Sequence, residues 1–142
     1  METKFNFNSQ VCTSKAQSER LLAFGLKKET ADMYWTKPFG DWIAIVGESG
    51  INEEDNIPAW SLHRLIEMIP KSFEADVTIL FGKTREVWLS FYMNYDCNII
   101  YLDDCKEEVK GFYAGNVYDK AIDCIEWLIN RGYFPKEYLE ER

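Results

Sequence analysis

Between Asn116 and Gly132, the apolar residues Tyr118, Ala121, Ile122, Ile125, Leu128 and Ile129 recur at three- and four-residue spacing. That spacing lines one face of a 3.6-residue helix and commits the face to a core. Asp119, Asp123, Glu126 and Asn130 fall on the opposite side, and Trp127 falls among them. A large apolar ring among solvated carboxylates is either covered from outside the main core or left as a contact point. The phase of the helix predicts cover by the C-terminal segment 133–139, or failing that by a second copy of the chain.

The 142 residues, 46% of them apolar and 15% aromatic, suffice for one core without disulfide or metal support, and are too apolar for disorder. Hydrophobic runs such as 42–46 fall far short of the roughly 20 residues a membrane helix needs. Residues 1–8 carry one lysine and no long apolar stretch, unlike a secretory signal. The expected protein is a single domain over 1–142, soluble and cytoplasmic, with no membrane association. Its four cysteines, Cys12, Cys97, Cys105 and Cys124, form no C-x-x-C pair, and His63 is the only histidine. That is a poor zinc set, so buried reduced thiols are expected. A bridge between Cys97 and Cys105 is the alternative, and a cytoplasmic setting argues against it.

Net charge is −8 and uneven: residues 1–71 carry 8 basic and 10 acidic groups, residues 72–142 carry 8 and 14. Such a surface repels a phosphate backbone, which argues against direct DNA or RNA binding. It keeps the chain soluble and would suit a basic protein partner.

Ser14 followed by Gln17 is a capping-box pattern, and Gly25 suits a helix end, so a helix is predicted over 15–24. Segments 33–36 and 42–47, aromatic and β-branched around Lys37-Pro38-Phe39-Gly40-Asp41, read as a hairpin. Residues 48–56 are polar and acidic, a surface loop. Ser61 caps a predicted helix over 62–69 that Pro70 ends, with Leu62, Leu65, Ile66 and Ile69 inward and His63 and Glu67 paired outward. Strands are predicted over 77–81, 87–95 and 98–102. In the middle one Val87, Leu89, Phe91 and Met93 face the core, while Trp88, Ser90, Tyr92 and Asn94 face away. An acidic turn over 103–108 then leads through Gly111 and Gly115 to the last helix. The order α-β-β-α-β-β-β-α predicts an α+β fold, an antiparallel sheet of about five strands with three helices against one face.

Three blocks carry a likeness. Gln17-Ser18-x-x-Leu21-Leu22-x-x-Gly25-Leu26 running into Thr30-Ala31-Asp32-Met33, then Pro58-Ala59-Trp60-Ser61-Leu62 with Leu65-Ile66 and Pro70, then Trp127-Leu128-Ile129 with Gly132-Tyr133, together resemble a family of small uncharacterised proteins from gut bacteroidetes and their phages and mobile elements. The resemblance implies a recurring single-domain fold and a phage or mobile-element setting. It brings no catalytic residues, and the matching positions have structural explanations as caps and loop anchors.

Chemical motifs are weak. His63 is predicted to face solvent, with no nucleophile beside it. Gly82-Lys83-Thr84 is only the tail of a phosphate loop. The acidic runs Glu53-Glu54-Asp55 and Asp103-Asp104 with Glu107-Glu108 lack the alternating ligand spacing of a calcium loop. No catalytic, cofactor or metal residue is therefore assigned. The candidate interaction surface is Trp88, Tyr92, Trp127, Asp123 and Glu126, since Trp and Tyr provide large rigid contact area. The leading expectation is a non-enzymatic interaction or accessory protein of phage or mobile-element type, its partner and oligomeric state open. The alternatives are a small hydrolase or metal-dependent enzyme using loop 48–56 or turn 103–108, and an acidic nucleic-acid mimic built on Asp103, Asp104, Glu107, Glu108, Asp119, Asp123 and Glu126.

Overall fold

The computed structural model describes residues 10–78 and 82–141. Its elements run α1 (Lys15–Ala23), β1 (Met33–Thr36), β2 (Ile43–Val46), β3 (Ile57–Ala59), α2 (Leu62–Met68), β4 (Ser72–Thr78), β5 (Thr84–Met93), β6 (Ile99–Leu102), β7 (Glu108–Phe112) and α3 (Val117–Arg131), with short 3-10 turns at Lys28–Thr30 and Lys136–Tyr138. The fold is α+β with three helices, as expected. Among the described residues the strands number seven rather than five, and they form two antiparallel sheets, β2-β1-β3 and β4-β5-β6-β7.

Local signals account for the elements that match. Ser14 and Gln17 form a reciprocal capping box at α1, Ser61 caps α2, and Asn116 with Asp119 caps α3. Gly132 closes α3 at φ +77, a left-handed conformation that favours glycine. The hairpin β1–β2 pairs Thr36 with Ile43 and Met33 with Val46.

Two strands were hidden by residues that ordinarily interrupt strands. β3 contains Pro58, tolerated because β3 is an edge strand paired only to β1, where a missing N–H costs no ladder bond. β7 contains Gly111, and the ring of Tyr113 occupies the space that a side chain there would fill. β4 begins at Ser72, well before the predicted 77–81, and alternates inward Phe73, Ala75 and Val77 with Glu74 and Asp76. Residues 79–81 of the predicted strand lie outside the described residues.

The four-stranded sheet packs its inner face, including Val87, Leu89, Ile99, Tyr101 and Phe112, beneath α3. The opposite side of α3 meets α1 and α2. Trp60, fully buried, ties the parts together. Its indole N–H donates to Thr30 Oγ1 at 2.9 Å, its amide to Thr13 Oγ1 at 3.1 Å, and neighbouring Ser61 donates through N and Oγ to the Asp32 carboxylate. The C-terminal segment docks on the α1 end, where Lys27 N donates to Tyr138 O and Glu140 N to Gly25 O. Among the described residues no helix is long and apolar enough to cross a membrane.

Candidate functional site

Helix α3 is covered on two sides, which the one-face reading missed. Lys120, Cys124, Trp127 and Arg131 recur at four-, three- and four-residue steps and form a second stripe along it. Lys120 is buried and its ammonium donates to Asp96 O at 3.0 Å. Cys124 is fully buried beside Tyr101, and burial pushes its thiol up to about 12. The half-buried ring of Trp127 stands 6.0 Å from Tyr101 and 6.1 Å from Phe112, both on the sheet, and 6.1 Å from Tyr133. The sheet therefore reaches Trp127, contrary to expectation; the C-terminal segment supplies one wall, Tyr133, and not the whole cover.

The acidic side of α3 is not left to water either. Arg20 of α1 donates to Asp123 at 2.7 Å and to Glu126 at 2.6 Å, and Gln17 donates to Asp119 at 2.7 Å. Burial works against the Arg20 charge, but its hydrogen bonds to these two carboxylates outweigh it and raise its pKa. The candidate residues thus fall into two groups on opposite faces of the sheet: Asp123, Glu126 and Trp127 on the α3 side, Trp88 and Tyr92 on the other.

The α3 side holds two adjoining cavities that share Trp127 and Lys110. One, of about 230 Å³, lies among β4, Leu89, Arg131 and Tyr133. The other, of about 400 Å³, lies between β7 and the Asp123, Glu126 and Asn130 side of α3. Lys110 sits 5.5 Å over the Phe112 ring and Arg131 5.8 Å over Trp127.

On the outer face of the sheet Trp88 is 54% exposed and Tyr92 47%, as the alternation of β5 predicts. One residue that sequence reasoning did not select, Tyr113, extends this patch. Tyr92 pairs with Ile100, Ile100 with Gly111, and the 52% exposed Tyr113 folds over Gly111 with its hydroxyl on Glu108. The same face carries Asp76 directly opposite Glu86, with Glu74 paired to Trp88. Like charges opposed across a ladder are unfavourable, and Glu74 beside it raises the Glu86 carboxyl pKa.

The remaining candidates have local explanations. Asp103, Asp104 and Cys105 bring ligand atoms within 4.8 Å of one another, but Asp103 Oδ1 accepts the amides of Cys105 and Glu107 as a turn, and Asp104 pairs with Arg85. A cleft of about 480 Å³ is lined by Thr36, Lys37, Trp42, Glu53, Asp55 and Asn56; both carboxylates are exposed. His63 faces solvent beside Glu67, as expected. Cys12 and Cys124 are buried, whereas Cys97 and Cys105 are exposed free thiols, so the expectation of four buried thiols holds for two. Cys97 and Cys105 sit in the turns flanking β6, and both turns are solvated.

No family model matches the chain, and neither does any curated protein or solved structure.

Proposed function

We propose that this is a non-enzymatic protein-interaction module, a cytoplasmic accessory protein of phage or mobile-element type, whose contact surface is the outer face of the β4–β7 sheet. The observation that carries this reading is the half-exposed pair Trp88 and Tyr92, joined by the half-exposed Tyr113 on the outer face of the sheet. Exposed aromatics gathered on one face of a small domain mark contact sites, and the neighbouring Glu74, Asp76 and Glu86 suit a partner with basic groups. A nucleic-acid mimic is disfavoured because Asp104, Asp119, Asp123 and Glu126 are held by partners in the same chain. Affinity capture from cells that carry the gene, with wild type and a Trp88→Ser/Tyr92→Ser double variant, tests the reading. A partner lost with the double variant at unchanged melting temperature supports it; no specific partner across several salt concentrations, or one retained by the variant, contradicts it.

A small hydrolase or metal-dependent enzyme has one observation in its favour, the cleft that gathers Glu53 and Asp55 against Trp42 and Lys37. Turnover of chromogenic phosphate, glycoside or peptide substrates, with or without added magnesium, that both Glu53→Gln and Asp55→Asn abolish would favour it instead.

A further inference from the structure

Among the described residues β7 is the last strand of its sheet. Its ladder to β6 uses one side of the strand and shifts register at Val109, which has no partner there, and no other hydrogen bond holds the backbone of Lys110, Gly111 or Phe112 among the described residues. An edge of this kind presents unpaired N–H and C=O groups that an added strand can satisfy. Beside it lies the cavity of about 400 Å³, walled by Phe112 and Trp127 and bounded on the helix by Asp123, Glu126 and Asn130. Edge strand and helix thus enclose a groove with a polar backbone on one side and an aromatic floor, the geometry that strand addition of a peptide requires.

We propose that this groove takes an extended segment of another protein, paired to β7, with an apolar side chain resting on the Trp127 ring beside Phe112 and basic side chains beside the strand's acidic end. The charge follows from the surroundings. β7 leaves a turn carrying Asp103, Asp104, Glu107 and Glu108, against which stand Lys106 and Arg85. Across the groove Asp123 and Glu126 share the single Arg20. Lys110 is the cation within the groove wall and lies along the Phe112 ring. Residues 110–112, the part of β7 in continuous register, span roughly 10 Å at the usual rise of a strand, room for a paired stretch of about three residues. This surface is separate from the outer face of the sheet, so either can fail alone.

The test uses the full chain, isotope-labelled, titrated with the hexapeptide acetyl-Arg-Val-Lys-Val-Arg-Val-amide. Two controls accompany it, the same peptide with alternate backbone nitrogens methylated and its glutamate counterpart. The expected result is shifts at the amides of residues 109–112 and at the Trp127 indole, slower exchange of β7 amides, and loss of both effects with the methylated and acidic peptides. Asn130→Lys, an exposed position on the groove rim, should weaken binding roughly two- to fivefold, the worth of one exposed charge, without changing the spectrum elsewhere. Shifts that persist with the methylated peptide, that fall at Trp88 and Tyr92 instead, or that are absent overturn the proposal. So does β7 protection before any peptide is added, whether from a second copy or from residues 1–9.

Discussion

Burial holds the thiols of Cys124 and Cys12 protonated far into the alkaline range, to about 12 and about 11 against 9.0 for an exposed cysteine, with Asp32 adding to the effect at Cys12. In the unfolded chain both release their protons near 9.0. The unfolded state then binds fewer protons than the folded one, so stability is complete below about pH 9 and falls as pH rises toward the folded values. Within that window each thiol contributes a slope of about 1.4 kcal/mol per pH unit. Urea unfolding at pH 8, 9 and 10 should show this decline, made shallower by Cys124→Ala. In the native protein a thiol reagent should modify Cys97 and Cys105 quickly and the other two only on unfolding. Residue-scale legibility was uneven in the same way. The alternation of β5 placed Trp88 and Tyr92 correctly because a period of two leaves one choice of face. Trp127 was misplaced because a helical wheel assumes one buried side, whereas α3 is covered by α1 and α2 on one side and by Tyr101 and Phe112 on the other.

Elements with capping chemistry were readable to within a residue or two, since a cap is a contact between neighbours in sequence. Asn116, Ser61, Ser14 and Gly132 all act locally. Gly132 offers a clean test, for a side chain there would meet nothing within 4 Å, leaving only the cost of its left-handed backbone. Gly132→Ala should destabilise by about 1 kcal/mol and Gly132→Asn by less, measured by thermal unfolding. A loss of several kcal/mol would instead imply a contact at that position. β3 and β7 were not readable, because what permits them is tertiary: Pro58 needs an edge position and Gly111 needs the Tyr113 ring above it. The acidic face of α3 was read as solvated for a similar reason, its partners Gln17 and Arg20 lying about a hundred residues away in sequence.

At the scale of the whole molecule, the three sequence blocks 17–33, 58–70 and 127–133 serve largely as fasteners. The first and second meet through Trp60 on Thr30 and Ser61 on Asp32, and the third closes α3 and sends Tyr133 against Phe73 and Trp127. With those residues committed to the fold, the half-exposed Trp88, Tyr92 and Tyr113 on the outer face of the sheet stand available for contact. The central claim, that this face meets a partner, is tested most directly by photocrosslinking in the native host with benzoylphenylalanine in place of Tyr92. The same group in place of Phe39, 95% exposed on the turn between β1 and β2, serves as the control for mere exposure. The account expects one discrete protein adduct from position 92 and none from position 39; no adduct at 92, or the same adducts from both positions, would contradict it.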